Sequence, residues 1–340
     1  MKKSMVALSI GLMLVLAVFT IGMAKQVLHM YTSFDANQAQ VYIQAFEKAY
    51  PNIEVKWVRL SAGQALARIE AEASNPQASI WYGGSSTSFI AAATEGLLTP
   101  YTDSLGWQYV PKQFKDPEGR WVGIYIGFIG FVSNKNFLKK AGVPAPTSWQ
   151  DLLKPQFKGE IAKAYPFTSG TAYTTLMGML TAIGSPKPGF DKDDIAYLKA
   201  FHAQVGDYTE SGTACISLVG QGEFGVGIAF SHDILAKGIA KGFPVVMTFP
   251  KEGTSYEVGG MALIKGGPEP ELAKIFYNWA LSAQAQNLYQ PFYRVPLNPE
   301  AKVAKGAVTL ADVKALPVDA AWYGAHKDQI IDEWHKITGE

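Results

Sequence analysis

The 340-residue chain carries 30 basic and 29 acidic residues, and its formal net charge of +1 gives no sign of a nucleic-acid partner or of an anionic membrane surface. Its single cysteine, Cys215, excludes an intrachain disulfide, so the hydrophobic core must hold the chain together. A core-stabilised chain of this length is usually divided into two domains.

The N-terminus has the three-part pattern of a secretory signal peptide. Lys2 and Lys3 precede an uncharged, mostly apolar run at residues 5–22, and small residues then lead to a cleavage site at Ala24. We therefore predict that residues 1–24 are removed on export and that the remaining chain is soluble in the periplasm. A transmembrane anchor is the alternative, because a run of about 18 residues is near the short limit for crossing a bilayer. No cysteine stands directly after the run, which argues against a lipid anchor.

Strands and helices alternate in the next segment, and Pro51 stops the first helical pattern. The pattern predicts strands at 27–31, 53–58 and 79–82, and helices at 36–50, 65–73 and 89–96. A strand followed by a loop and a helix, repeated, is typical of βαβ units around a mostly parallel sheet.

The rhythm changes after residue 120, where 121–126 and 130–133 read as two adjoining β stretches. Ser148 is a predicted N-cap after a proline-rich turn. The remaining patterns predict helices at 134–141, 149–153, 172–183 and 269–286, strands at 225–230 and 245–250, and helical pieces within 311–338.

Four predicted strand-to-helix loops are rich in small hydroxyl residues and glycine, at 32–33, 83–86, 168–171 and 231–233. Ligands of open α/β sheets bind outside the carboxyl ends of the strands, where such loops meet. Ser169, Gly170 and Thr171 form the best candidate seat for an anion, because a helix N-terminus carries free N–H donors and a partial positive charge. Helix capping alone is the alternative explanation for any one of these loops.

Enzyme motifs are weak in this chain. It has no Gly-x-Ser-x-Gly turn and no phosphate-binding GxxxxGK[ST] loop. Its five histidines lie far apart, and none forms a close metal-binding pair. An exported hydrolase with a Ser-His-Asp triad stays open as a third alternative, because a triad is assembled by the fold and not by sequence spacing.

Six stretches, in this order along the chain, resemble the extracellular solute-binding proteins of the ferric-ion-binding type, structural class II. They are IWYGG at 80–84, EGLL at 95–98, PTSWQDLL at 146–153, TSGTAY at 168–173, GIAFSHD at 227–233 and PKEGTSYEVG at 250–259. The resemblance implies a two-lobed α/β fold of type II, each lobe a mostly parallel sheet flanked by helices, with hinge strands crossing between the lobes. It places lobe 1 at 25–126 plus about 257–300, and lobe 2 at 127–256 plus about 301–340.

The resemblance also implies a ligand-capturing subunit of an ABC importer, with a membrane permease and an ATPase as partners. We expect a monomer with no cofactor and no enzymatic activity. Iron-binding members carry adjacent tyrosines where this chain has Phe230 and Ser231, so a ferric ion is the alternative ligand only if Tyr125 or Tyr173 substitutes for them.

The His232-Asp233 version looks like the branch that binds phosphorylated or phosphonate organic solutes. The implied ligand residues are Thr32, Ser33, Gly83, Gly84, Ser85, Ser169, Gly170, Thr171, His232, Asp233 and Glu257. Of these, 169–171 would hold the phosphoryl group, and the last three would bond hydroxyls or an amine at the other end. Glu252 stays an equally placed alternative to Glu257. Because no arginine lies in these loops, backbone donors are expected to dominate.

Two further features stay open at this stage. Cys215 is either a small buried hydrophobe or a reactive thiol. The rings that could line the cleft either stack on a sugar or fill the hinge, and they are Trp81, Tyr82, Phe128 and Phe230.

Overall fold

The computed structural model describes residues 25–183 and 190–340, so the predicted signal peptide at 1–24 lies outside the described residues. Within these two ranges, none of the helices combines the length and the apolar character needed to cross a bilayer.

The N-terminal segment follows the predicted alternation closely. Its elements are β1 (Gln26–Thr32), α1 (Ala36–Ala49), β2 (Ile53–Arg59), α2 (Ala62–Ala71), β3 (Ile80–Ser85), α3 (Ser86–Thr94), β4 (Leu98–Thr99) and β5 (Val122–Asn134). As predicted from the βαβ pattern, β1 pairs in parallel with both β2 and β3.

The rest of the chain contains shorter and more varied elements. They are α4 (Lys135–Ala141), β6 (Ile161–Ala164), α5 (Gly170–Ile183), α6 (Lys192–His202), β7 (Val205–Thr209), α7 (Ala214–Gln221), β8 (Val226–Phe230), α8 (Ser231–Asp233), which continues as a π-helix (Ile234–Ile239), β9 (Val245–Thr248), β10 (Tyr256–Ile264), α9 (Pro270–Ala280), α10 (Ala283–Gln286), β11 (Val295–Pro296), α11 (Ala320–Ala325) and α12 (Lys327–Thr338). Short 3-10 turns lie at Trp107–Tyr109, Lys112–Phe114, Gln150–Leu153, Pro155–Phe157 and Asn287–Phe292.

The long strand β5 connects the two halves of the molecule. Its first half pairs antiparallel with β10, and its second half pairs antiparallel with β8 and β9. All 13 of its residues are buried. The sequence predicted two separate β stretches here, and the structure corrects this to one continuous strand, because Gly127 and Gly130 interrupt the apolar pattern without interrupting the backbone pairing.

Separate hydrophobic cores lie on the two sides of this crossing. The largest contains residues of β1, β3, α3, β10 and α9, and along β5 it ends at Phe128. Two further cores begin along β5 at Ile129 and Val132. We call the half built on the first core lobe 1 and the half built on the other two lobe 2. The lobe bounds given above stay a prediction.

The C-terminal region departs from the predicted pattern. The single amphipathic helix predicted at 269–286 is divided into α9 and α10, because the Ser282 hydroxyl accepts from the Ala285 N–H at 3.1 Å and caps a new helix. Helical structure within 311–338 begins only at Ala320. Side chains of α11 and α12, including Tyr323 and Trp334, pack in the lobe 2 core.

Candidate functional site

A polar cavity lies between the two lobes, at the carboxyl ends of β1, β2, β3 and β8. It encloses about 450 Å³ of empty space, with the open solvent at its mouth included. The residues that line it are Ser33, Asp35, Arg59, Ser61, Gly84, Tyr125, Ser169, Thr171, Ser211, Gly212, Thr213, Phe230, His232, Asp233, Glu257 and Arg294. Both lobes supply members of this set, so the cavity exists only while the lobes are closed.

The lobes touch directly around this cavity. The Gly63 N–H at the start of α2 donates to the Thr168 carbonyl of lobe 2 at 3.3 Å. Gly170, the first residue of α5, lies so close to Ser85 of lobe 1 that an added Cβ would be 2.4 Å from its Oγ. Lys237 of lobe 2 pairs with Asp35 of lobe 1. The structure therefore represents a closed form.

A larger depression of about 1030 Å³ lies on lobe 1 beside β1 and β2. Its ionisable groups are mostly paired within lobe 1: His29 contacts Glu269, and Arg68 contacts Glu72. Because these charges are already satisfied and the depression does not join the two lobes, we place the candidate site in the interlobe cavity.

One end of the cavity is rich in hydroxyl groups. A Cβ added at Gly212 would lie 2.3 Å from the Thr171 hydroxyl and 2.6 Å from the Ser169 hydroxyl, so both hydroxyls crowd around this glycine. The Ser211 Oγ accepts from Nη2 of Arg59 at 3.2 Å. These groups stand at the N-terminus of the 14-residue helix α5, which has no acidic side chain in its first turn. Donors from hydroxyls, a guanidinium and a helix N-terminus together favour an anion.

The opposite end is built around Arg294, which is buried. Its Nη1 donates to Nε2 of His232 at 2.6 Å, and both its Nε and its Nη2 donate to the Gln38 amide oxygen. Burial works against its charge, but the neighbouring Tyr125 and Asp233 raise its pKa, so it stays a cation. Its guanidinium also lies 4.3 Å from the ring centroid of Tyr125, within cation–π range.

His232 and Asp233 are both deprotonated beside this arginine, the first as a neutral ring and the second as a carboxylate. Burial and the Arg294 charge lower the pKa of His232 to about 4, so its ring is neutral. Burial opposes ionisation of Asp233, but His232 and Arg294 outweigh it and hold the pKa of Asp233 below its usual range. Among the residues described, Nδ1 of His232 and Oδ1 of Asp233 have no hydrogen-bond partner. Nδ1 of His232 packs against the Gly127 backbone of β5, and Oδ1 of Asp233 lies 3.6 Å from Nη2 of Arg294.

Glu257 is the second acid at this end. Burial raises its pKa to about 8, and the Tyr125 hydroxyl donates to its Oε1 at 3.2 Å. It is therefore a neutral carboxylic acid at pH 7, which can donate a hydrogen bond as well as accept one. Glu252 lies elsewhere and accepts from Ser148. The structure thus puts Glu257, and not Glu252, on the cavity wall.

Seven of the eleven residues predicted as ligand contacts line the cavity: Ser33, Gly84, Ser169, Thr171, His232, Asp233 and Glu257. The other four lie directly behind the wall. Thr32 donates its hydroxyl to the Tyr82 carbonyl at 2.9 Å. Gly83 has a φ of 83° and packs under the Phe34 ring, while Ser85 and Gly170 meet at the lobe contact.

The sequence reasoning missed the arginines. No arginine was expected to take part, yet Arg59 and Arg294 both line the cavity. Arg59 ends β2, the strand beside β1, so the neighbouring strand end was the signal that could have found it. Arg294 follows the 3-10 turn Asn287–Phe292, and no pattern pointed to it. The segment 211–213 was also missed, since it follows a strand that the sequence did not reveal.

The aromatic rings fill the protein interior with one exception. Trp81, Tyr82 and Phe128 are fully buried in lobe 1, and only Phe230 of the four candidates reaches the cavity wall.

Cys215 is a buried thiol, and burial raises its pKa to about 12. In the two described ranges, no group of three or more His, Cys, Asp or Glu side chains is placed to hold a metal ion.

Comparison with known proteins gives a consistent picture. The family model described as bacterial extracellular solute-binding protein matches residues 35–287. The chain resembles the periplasmic binding protein AfuA from Actinobacillus pleuropneumoniae, solved with fructose-6-phosphate bound, with a TM-score of 0.86 and 33% identity over 93% of this chain and 99% of that one.

Two further similar proteins extend the comparison. The periplasmic binding protein P5PA matches with a TM-score of 0.85 and 31% identity over 92% of this chain and 100% of its own. A putative 2-aminoethylphosphonate-binding periplasmic protein of Salmonella typhimurium is 27% identical, over 89% of this chain and 88% of that protein. The two-lobed α/β fold predicted from the sequence is confirmed by these neighbours.

Proposed function

Because the chain belongs to the family of bacterial extracellular solute-binding proteins and serves an ABC importer as its substrate-binding component, we propose that its solute is a small phosphorylated or phosphonate compound. The hydroxyl-rich end of the interlobe cavity would hold the phosphoryl group. The observation that carries the proposal is the joint presence of Ser169, Thr171, Ser211 and Arg59 at the N-terminus of α5. We further propose that the protein is a monomer in the periplasm and that a membrane permease and an ATPase are its partners.

The position of the cavity's cations, and not its net charge, supports an anionic solute. Arg59 stands at the hydroxyl-rich end and Arg294 at the other, against the carboxylates Asp35 and Asp233. His232 is neutral, and the raised pKa of Glu257 removes what would be a third negative charge. Hydrogen bonds from a charged donor to a phosphoryl oxygen are stronger than neutral ones and fix its position. The similar proteins that are solved with fructose-6-phosphate or named for 2-aminoethylphosphonate point to the same class of ligand.

The other end of the cavity supports a solute with hydroxyl or amino groups. Asp233 lines the cavity and is ionised, so it can accept from a hydroxyl or an ammonium. The neutral Glu257 can donate to a hydroxyl or carbonyl oxygen. A monophosphate ester of a small sugar would match both ends, since it carries a phosphoryl group at one end and hydroxyls at the other.

The test compares ligands and variants by calorimetric titration. We expect fructose 6-phosphate and 2-aminoethylphosphonate to be bound more tightly than unphosphorylated fructose. Thr171→Val and Ser169→Ala should each weaken binding of the phosphorylated probe by about tenfold or more, because each removes a hydrogen bond to a charged group. The melting temperature of ligand-free Thr171→Val should stay nearly unchanged. Ser169→Ala should melt slightly lower, because the Ser169 hydroxyl also caps α5 by accepting from the Ala172 N–H at 3.4 Å.

Thr94→Val is the matched control, since Thr94 is exposed on α3 and its hydroxyl bonds only the Ile90 carbonyl. That variant should bind as the wild type does. Full affinity in both cavity variants would contradict the phosphoryl seat. A coloured, tight complex with Fe(III) would favour the ferric alternative, and a ligand recovered chemically changed would favour the hydrolase.

A further inference from the structure

A carboxylate stands at the end of the cavity that suits an anion. Asp35 follows β1 and lines the cavity beside Arg59, with its Oδ1 3.5 Å from the Arg59 Nη2. Its backbone carbonyl begins α1, accepting from Gln38 and Ala39. Alone, this carboxylate would repel a phosphoryl group and would compete with it for the Arg59 guanidinium.

The other lobe supplies a cation for this carboxylate. Lys237 lies in the π-helix Ile234–Ile239, directly after the His232-Asp233 pair, and its ammonium contacts Oδ2 of Asp35 across the cleft. The two oxygens of Asp35 therefore face different cations, Arg59 of its own lobe on Oδ1 and Lys237 of lobe 2 on Oδ2. Wide π-turns occur frequently at functional sites. Lys237 itself does not line the cavity.

We propose that Lys237 determines the anion specificity of the cavity by neutralising Asp35 when the lobes close. The Arg59 guanidinium can then bind the phosphoryl group instead of Asp35. This inference rests on the proposed function. The full charges on the cavity wall are Arg59 and Arg294 against Asp35 and Asp233, so the wall alone is balanced. Burial and the Arg294 charge lower the pKa of Lys237 to about 7, while its contact with the Asp35 carboxylate favours the charged form. As an ammonium, Lys237 adds the positive charge that makes the closed cavity attract an anion. In the open form Asp35 would face Arg59 without Lys237, so the attraction would appear only on closure.

A purely mechanical role for this ion pair makes a different prediction. If the pair only held the lobes together, removing either partner would weaken binding equally, and removing both would cost about the same as removing one. If Lys237 neutralises Asp35, the two single substitutions act in opposite directions. Lys237→Met leaves a carboxylate without its lysine partner, so that it repels the anion and competes with it for Arg59. Asp35→Asn removes that carboxylate and retains a residue that begins helices well.

The experiment is a double-mutant cycle measured by calorimetric titration with fructose 6-phosphate. We expect Lys237→Met to weaken binding by about tenfold or more. Asp35→Asn should bind as tightly as the wild type or more tightly. Asp35→Asn combined with Lys237→Met should return to within about threefold of the wild-type affinity.

Lys241→Met is the matched control, because Lys241 is exposed close after the same helical segment and changes the net charge equally. It should leave the affinity unchanged. Equal weakening in both single variants, or no recovery in the double variant, would overturn the inference while leaving the proposed function intact. If the wild-type protein bound none of the phosphate esters or phosphonates tested, the proposed function and this inference would fall together.

Discussion

Glu257 carries a proton at pH 7 because it is buried in the cavity wall, where no solvent stabilises its charged form. Burial raises its pKa to about 8, and the nearby Arg294 only partly offsets that effect. Its neighbour Asp233 differs because it lies against both His232 and Arg294 and remains ionised. Two carboxyl groups in one cavity thus offer a ligand a donor and an acceptor, and the difference comes from their surroundings.

The protonated state of Glu257 predicts how stability depends on pH. The group has a pKa of about 8 in the folded protein against an ordinary value of 4.5, so between these values the folded state holds a proton that the unfolded state has released. Stability must therefore fall as pH rises through this window, by at most about 1.4 kcal/mol per pH unit from this one group. Glu257→Gln should flatten this fall, which melting curves from pH 5 to 8 would measure.

Glu252→Gln serves as the control for this measurement, because Glu252 lies outside the cavity and bonds Ser148. It should keep the wild-type slope. His232 affects stability at acidic pH. Its pKa of about 4 in the folded protein lies below the ordinary 6.5, so the stability that its neutral ring contributes is lost as pH falls from 6.5 toward 4. An unchanged slope above pH 6.5 in Glu257→Gln would show that Glu257 is ionised in the folded protein.

At the scale of single elements, strand β5 does more than join the lobes. Gly127 lies near its centre, and a Cβ added there would stand 2.3 Å from Nδ1 and 2.4 Å from Cε1 of His232. The missing side chain makes the space in which the His232 ring packs, stacked on Phe230 with ring centroids 5.3 Å apart. The hinge strand therefore sets the position of a cavity residue.

Gly127→Ala should push the His232 ring out of its position between Arg294 and Asp233. We expect ligand affinity to fall by about tenfold or more, and stability to fall by about 1–3 kcal/mol, as is usual when a packed site is overfilled. Titration calorimetry and urea unfolding would measure the two effects separately.

Gly130→Ala on the same strand is the matched control. Its added Cβ would lie 3.1 Å from the Phe249 ring and away from the cavity, so it should reduce stability slightly without changing affinity. If both variants lost affinity equally, the strand would act through the hinge as a whole and not through His232.

The same elements explain what the sequence could and could not predict. β2, α1 and α2 were found because each buries one regular apolar face, and β3 was found as a short apolar run that ends in glycines. β5 was read as two stretches because it is buried on both faces and contains glycines, so no alternation marks it. β7, with its mixed sequence and partial burial, was missed, and the cavity segment Ser211–Thr213 was lost with it.

A similar difference separates the site residues that the sequence predicted from those that it did not. Residues at the ends of predicted strands, such as Ser33 and Asp233, were found because parallel strand ends meet at one edge. Arg294 was not found, since its position depends on a turn remote in sequence that the fold alone brings to His232. Side chains that reach a site from the far end of the chain leave no local signal.

For the whole molecule, closure brings small residues of the two lobes into direct contact. At Gly63 the contact is with backbone: an added Cβ would lie 2.1 Å from the Phe167 carbonyl oxygen of lobe 2. A backbone carbonyl cannot rotate away as a flexible side chain can. Elsewhere α11 packs against α3, and Lys327 donates to Ser88 at 3.2 Å, so the lobes also touch through the C-terminal helices.

Gly63→Ala should therefore exclude the closed form while leaving each lobe intact. Gly63 is the second residue of α2, where alanine is a better helix former than glycine, so the ligand-free protein should melt at the same temperature or slightly higher. Affinity for fructose 6-phosphate should fall by about tenfold or more, because a ligand held by one lobe loses the contacts of the other. Small-angle scattering should show ligand-induced compaction in the wild type and none in the variant. Wild-type affinity with normal compaction would mean that the lobes close on the ligand without the Gly63 contact, and that the hinge tolerates a looser closed form.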